Sequence, residues 1–171
     1  MMMSPAIRKV ALTAHVTASV GWIGAVLAFL ALSIVGLTHE NPQTVRGVYL
    51  VMQPAAWLVL VPLAFTSLLT GVIQGSGTSW GLFRHYWVVF KLLLTMFATG
   101  MLLIYMETFR GMASVAADPT ADLALVRNPS PALHAVLALL VLLVTTVLGI
   151  YKPRGLTPYG WRRRRESETD A

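Results

Sequence analysis

The stretch VALTAHVTASVGWIGAVLAFLALSIVGL, residues 10–37, decides the fold of this chain. It contains no charged side chain and is longer than the roughly 20 apolar residues with which one α-helix crosses a bilayer. Three more apolar runs follow, and polar links with Asn, Pro, Gly and Ser separate them: residues 49–73, 86–106 and 131–151. The pattern predicts an all-α fold, a four-helix transmembrane bundle that forms one domain over residues 1–155.

Composition supports a membrane protein. Of the 171 residues, 56% are hydrophobic and 12% are charged, whereas a soluble domain has about 25% charged residues. The mean hydropathy of +0.69 excludes both a soluble globular domain and a disordered chain. The absence of cysteine excludes disulfides, cysteine-ligated metals, covalently attached c-type haem and a thiol nucleophile.

The distribution of positive charge predicts the orientation. With the N-terminus in the cytoplasm, the outer side holds only Arg46, Arg110 and Arg127, and the inner side holds Arg8, Lys9, Arg84, Lys152, Arg154 and Arg162 to Arg165. The positive-inside rule therefore predicts cytoplasmic N- and C-termini. The tail, residues 156–171, is basic and then acidic, which favours contact with anionic lipid headgroups. We predict a multi-pass protein of the lipid bilayer with no nucleic-acid partner.

Two further features concern packing. Small residues recur every fourth position in the first run, at Thr13, Thr17 and Gly21, and such a face suits either the bundle core or a homodimer. Pro62 lies in the middle of the second run and predicts a kink. In the outer link we expect a short interfacial helix over residues 112–125.

Ionisable residues at membrane depth are the main functional candidates, because burying them is costly. His15 and Lys91 both lie about 9 Å inside the inner boundary, at 1.5 Å per residue. Hydroxyl groups reach the same depth on the other two helices, including Thr145. The first and third helices of such a bundle are diagonal, so His15 and Lys91 are expected to face each other. The face of His15 continues through Ser19 and Trp22 and would suit a planar cofactor.

Three interpretations of this layer remain open. In the first, His15 makes a hydrogen bond to a Ser or Thr of another helix, while Lys91 extends to the headgroups. In the second, His15 coordinates haem iron, with Lys91 as the opposite ligand or as a partner of a propionate. In the third, both residues titrate in a proton or ion path.

His134 lies near the opposite, outer boundary and therefore cannot share one haem with His15. Together with His39, Met52, Met101 or Met106 it offers imidazole and thioether ligands, which suit copper(I). The alternative is an interfacial anchor among core methionines. A bis-histidine haem would need His85 to bend inward from its loop.

Several motifs carry a family resemblance. His15 followed by Trp22-Ile23-Gly24, and Trp87-Val88-Val89-Phe90-Lys91, resemble a group of small bacterial membrane proteins. That group includes copper-resistance D-like proteins and the four-helix, haem-binding protoporphyrinogen oxidase. The segments GLFRHYW (81–87) and YKPRGLT (151–157) look like those of uncharacterised four-span membrane proteins of actinobacteria. The resemblance implies a bacterial cell membrane, and it matches His15 and Lys91 to the oxidase's first-helix histidine and third-helix lysine.

We therefore predict an integral membrane protein that binds b-type haem within the bundle and acts in membrane redox chemistry, with a membrane redox partner. The predicted cofactor residues are His15, Lys91, Trp22, Ser19 and Thr145, with His15 as the haem-iron ligand and His134 as a copper candidate. The alternatives are a small transporter or ion-path component, and a non-catalytic accessory subunit. No triad of Ser, His and Asp, no phosphate loop and no pair of acids within the membrane is present, so common hydrolase chemistries lack their residues.

Overall fold

The computed structural model describes residues 3–78 and 80–169, and in this part of the chain every regular element is helical. The elements are α1 (Pro5–Thr38), α2 (Pro42–Ala55), a π-helical segment (Ala56–Leu60), α3 (Val61–Gly77), α4 (Tyr86–Ala117), a 3-10 turn (Leu123–Leu125), α5 (Ser130–Tyr151) and α6 (Pro158–Thr169). Among these described residues, four helical units are long and apolar enough to cross a membrane: α1, the continuous unit Pro42–Gly77, α4, and Leu123–Tyr151, which contains α5. The predicted four-helix transmembrane bundle is confirmed.

Local capping explains where the first two spans begin. The Ser4 hydroxyl accepts a hydrogen bond from the backbone N–H of Ile7, and Pro5 occupies the first turn, where a missing N–H costs nothing. Asn41 caps α2 in the same way through the N–H of Gln43, with Pro42 following it. The second span therefore starts at Pro42 rather than at the predicted residue 49.

The second span stays helical at Pro62 because a π-helical segment precedes this proline. Proline has no N–H to donate and its ring crowds the carbonyl four residues earlier. The π-helical segment precedes Pro62, with the N–H of Val61 bonded to the carbonyl of Ala56, five residues back. This wider turn accommodates the proline, and α3 continues to Gly77.

The predicted interfacial helix over residues 112–125 is wrong. Residues 112–117 form the last turns of α4, where Met112 and Ala116 are buried, and only Leu123–Leu125 forms a 3-10 turn. Helix α4 continues to Ala117 because the sequence has no proline between Gly111 and Pro119. The single glycine in this part, Gly111, lowers helix stability without ending the helix.

The helices are arranged around the bundle in chain order. Helix α1 packs against α2, α3 and α5, and α4 packs against the same three elements. Helices α1 and α4 are therefore diagonal, as predicted. Only 17–28% of the most apolar window of each span is buried inside the bundle, so the larger part of each apolar surface is available to lipid.

Both ends of the chain lie at one end of the bundle, which we call the basic end. The N–H of Met3 bonds to the Gly77 carbonyl, and the N–H of Thr157 bonds to the Arg84 carbonyl just before α4. The segment after α5 is thereby tied to the start of α4. The tail then forms α6, which extends to Thr169. The charges of the tail alone did not predict this helix.

At the opposite end, Arg46 of α2 holds the chain that leaves α4. Its guanidinium donates to the backbone carbonyls of Val115, Ala116, Asp118, Pro119 and Ala121. Carbonyls in the last turn of a helix have no partner within that helix. Arg46 supplies one, together with positive charge at the negative end of the helix dipole.

Candidate functional site

His15 and Lys91 meet inside the bundle, in a set of side chains that we call the polar layer: His15, Ser19, Ser67, Thr70, Lys91, Thr95, Thr145 and Thr146. All four spans contribute to this layer. It lies in the half of the bundle nearer the basic end, and its members are buried or half-buried. The predicted cofactor residues His15, Ser19, Lys91 and Thr145 are therefore brought together.

His15 is held by α3. Its Nδ1 lies 3.1 Å from the backbone carbonyl oxygen of Ser67 and 3.1 Å from the Thr70 hydroxyl. A carbonyl only accepts hydrogen bonds, so we assign the proton to Nδ1, and in the neutral ring Nε2 is then an acceptor. The expected hydrogen bond between His15 and a hydroxyl of another helix is confirmed.

Lys91 occupies the remaining side of the ring. Its Nζ lies 3.3 Å from His15 Nε2, so the ammonium donates into the bundle instead of extending to the headgroups. Two positive charges at this separation repel by about 5 kcal/mol at an effective dielectric constant of about 20. We therefore expect the pair to carry one positive charge, with a single proton between Nζ and Nε2.

No carboxylate balances that charge within the layer. Over residues 3–78 and 80–166, whose side chains the structure describes, Glu107 pairs with Arg110 and Glu166 with Arg163, and both ion pairs are exposed and outside the polar layer. The same part of the chain holds no group of three His, Asp or Glu side chains that could bind a metal ion. Hydroxyl and carbonyl oxygens are the polar neighbours of the pair.

A cavity of about 20 Å³ lies beside Lys91, bordered by the hydroxyls of Ser19, Ser67, Thr95 and Thr145 among others. A site of this size with several polar partners accommodates about one water molecule. Ser19 and Ser67 also bond to each other across α1 and α3, with 2.8 Å between their hydroxyl oxygens. The layer therefore has polar groups that can relay a proton, and the sequence alone did not show this arrangement.

Two glycines make space for the pair, and neither was a sequence-based candidate. A Cβ at Gly71 would lie 3.2 Å from Cε1 of His15, and a Cβ at Gly149 would lie 3.1 Å from Nζ of Lys91. Because these helices lack side chains there, the imidazole and the ammonium can lie close to the neighbouring backbones. The sequence signals this close approach only by placing a glycine on the helix that packs against each of the two side chains.

The arrangement does not accommodate a porphyrin. Two nitrogens that bind one iron from opposite sides are about 4 Å apart, since each bond is about 2 Å long. His15 Nε2 and Lys91 Nζ are closer than this, and both nitrogens of His15 are engaged. Trp22, predicted to face the same cofactor, is 2% exposed and packed in the core. Haem binding at this layer would require the helices to move apart.

His134 belongs to a separate cluster near the other end of the bundle. Its Nδ1 donates to the Ser130 carbonyl over 2.9 Å, and its ring stacks on Tyr105 with 4.1 Å between centroids. The Tyr105 hydroxyl lies 2.9 Å from the Ser130 hydroxyl. His39 uses Nδ1 to accept the N–H of Asn41. Copper binding by these histidines stays a prediction.

His85 is engaged at the basic end. Its Nδ1 lies 2.7 Å from the carbonyl oxygen of Trp80, and the two rings pack edge to face. A His85 held in this way stays outside the polar layer. The alternative haem site that would recruit it has no support in this arrangement.

Comparison of the chain with known protein families, with curated proteins and with solved structures gives no match. The resemblance drawn from the sequence motifs therefore stays a prediction, and the polar layer is the feature of this chain that points to a function.

Proposed function

We propose that this integral membrane protein is a component of a membrane ion path, in which the Lys91–His15 pair binds and releases a proton. The observation that carries the proposal is the 3.3 Å contact between Nζ and Nε2 inside the bundle, without a carboxylate in the layer. Ionisable groups at membrane depth are costly and mark ion pathways and proton relays.

The residues support a simple proton transfer. The Lys91 ammonium donates its proton to Nε2, which leaves a neutral amine and an imidazolium whose Nδ1–H remains bonded to the Ser67 carbonyl. The imidazolium then returns the proton to the amine, and the Lys91 ammonium, which borders the adjacent cavity, can pass a proton to a water there. No bond other than N–H and O–H changes, and the total charge is conserved.

The arrangement corresponds to a closed path. Beyond the layer, Trp22 fills the core, and the next polar cluster is that of Tyr105, Ser130 and His134. Proton movement across the whole bundle would require water to pass Trp22. We therefore expect gated flux rather than the continuous conductance of an open pore.

The test is proton flux into liposomes that contain the purified protein and an internal pH-sensitive dye, driven by a potassium diffusion potential. The expected result is flux with the wild-type protein that falls at least tenfold in Lys91→Met and in His15→Leu. Lys152→Met is the matched control at the basic end and should keep the wild-type flux. Helix content and elution volume establish that each variant is folded. Wild-type flux equal to that of empty liposomes, or full flux in Lys91→Met, would refute the proposal.

Haem binding in a bacterial cell membrane protein, with a membrane redox partner, is the second proposal. It rests on the resemblance of the motifs around His15 and Lys91, and it requires these helices to separate, because the two nitrogens are closer than two ligands of one iron. Absorption spectra of the oxidised and dithionite-reduced protein, from cells supplied with a haem precursor, test it. A Soret band lost in His15→Ala and kept in His134→Ala would support haem, and a colourless folded protein would exclude it. A non-catalytic accessory subunit predicts a stable partner that both variants retain.

A further inference from the structure

An apolar cavity of about 170 Å³ lies beyond Trp22, on the side away from the polar layer. Its wall is made by α1, α4 and α5, with Leu60 of the second span, and consists mainly of aromatic and aliphatic side chains such as Phe29, Phe109 and Ala138. An apolar cavity with a few polar groups is the usual form of a small-molecule site. Neither His15 nor Lys91, the pair of the proposed ion path, lines this cavity.

The cavity reaches the lipid-facing surface between α4 and α5. Phe97 of α4 and Leu137 of α5 both line it, and they are 61% and 51% exposed on the bundle. Side chains that border a cavity and are also exposed form its rim. A ligand can therefore enter from the bilayer, and an apolar tail attached to that ligand can remain in lipid.

The wall has three polar side chains: Ser33, whose hydroxyl donates to the Phe29 carbonyl, Tyr105 and His134. His134 Nδ1 donates to a carbonyl oxygen, so in the neutral ring Nε2 is a hydrogen-bond acceptor. The Tyr105 hydroxyl is already engaged with Ser130. Since the Ser33 and Tyr105 hydroxyls are both engaged within the protein, we assign the imidazole nitrogen as the acceptor for the ligand, which selects a ligand with one O–H donor.

The volume of the cavity determines the size of the ligand group that it can hold. An engineered apolar cavity of about 150 Å³ in another protein binds one benzene ring. We infer that this cavity binds a lipid-soluble phenol, with its ring among the aromatic side chains, its hydroxyl donating to Nε2 of His134 and its apolar tail leaving between Phe97 and Leu137. The observation behind it is a ring-sized apolar cavity, open to lipid, with a fixed imidazole acceptor in its wall.

The experiment compares 4-hexylphenol with hexylbenzene, which differ only by the hydroxyl. Binding to the full-length protein in lipid nanodiscs is measured by calorimetric titration and by the ligand-dependent rise in unfolding temperature, with protein-free nanodiscs subtracted. One hydrogen bond to the imidazole should make the phenol bind about tenfold more tightly. Equal affinity of the two ligands would overturn the proposal and indicate a cavity for any apolar chain.

Two variants test the assigned residues. His134→Leu should leave hexylbenzene affinity unchanged and abolish the preference for the phenol, while His39→Leu, the matched control at the same end, should keep it. A preference that survives in His134→Leu would refute the role of Nε2. Ala138→Phe should abolish binding of both ligands, because the added ring fills the cavity. If this variant does not fold, Ala138→Leu, which adds a smaller side chain, should weaken the binding of both ligands in the same way. Undiminished binding in a folded filling variant would place the ligand elsewhere.

Discussion

Replacing Arg46 with methionine is expected to destabilise the end of the bundle opposite the termini by about 2 kcal/mol. The substitution keeps the aliphatic stem and removes the guanidinium. Four of its contacts have lengths of 2.9 to 3.2 Å, to the carbonyls of Val115, Ala116, Pro119 and Ala121. A fifth joins it to the Asp118 carbonyl. One side chain of α2 therefore links the end of α4 and the following loop to the second span.

The magnitude follows from the number and exposure of these contacts. A hydrogen bond to a charged group contributes about 1.5–3 kcal/mol, and a cation at a helix C-terminus about 0.3–1 kcal/mol. Arg46 is half-buried, so water replaces several of the lost contacts in the variant. One hydrogen bond at the low end of that range plus the dipole effect totals about 2 kcal/mol, roughly a 30-fold change in the unfolding equilibrium constant.

The assay is equilibrium unfolding in mixed micelles with increasing SDS, followed by tryptophan fluorescence, together with hydrogen exchange of the amides in residues 115–127. Arg46→Lys keeps the charge but loses the planar set of donors, so it should cost about half as much. Arg110→Met is the control, because Arg110 forms an exposed ion pair with Glu107 at the same end and such pairs contribute at most about 1 kcal/mol. A loss in Arg46→Met no larger than that in Arg110→Met would refute the reasoning.

Three further predictions concern other parts of the chain. Gly36→Ala should lower the free energy of unfolding by about 1–2 kcal/mol, because a Cβ there would lie 2.9 Å from Cζ and Oη of Tyr49, which is 1% exposed; an unchanged midpoint in the SDS titration would contradict this packing. Thr157→Val should make α6 more susceptible to trypsin, since the hydroxyl donates to the Phe83 carbonyl and accepts the N–H of Gly160; cleavage at the wild-type rate would show that this anchor is dispensable. Hydrogen bonds from Thr120 hold the pKa of Asp118 below its ordinary value. The stabilisation from Asp118 is therefore complete above about pH 4 and is lost as the pH falls through the lower, folded-state pKa; Asp118→Asn should weaken this acid dependence in unfolding measured between pH 5 and pH 2, and an identical pH profile would argue against it.

The start of the second span illustrates what sequence patterns miss. The prediction required a continuous apolar run, which begins at residue 49. The helix begins at Pro42 because its first turns are amphipathic: Val45 and Val48 are buried, while Gln43, Thr44 and Arg46 are exposed or half-buried. Such a turn packs its apolar side against other helices, while its other side is polar. Hydropathy averaged over all residues of a window is therefore low, and the turn is missed.

Sequence alone determined the four spans, the diagonal placement of α1 and α4, and the common depth of His15 and Lys91. The spans and the depth follow from the length of apolar runs and a constant rise per residue, and the diagonal placement follows from an up-down order of consecutive helices. Tertiary structure alone decided that Lys91 Nζ lies beside His15 Nε2, that Gly71 and Gly149 make the space for them, that Arg46 holds the end of α4, and that an apolar cavity opens beyond Trp22. These features depend on how each helix is rotated about its axis, and side-chain packing between helices sets that rotation.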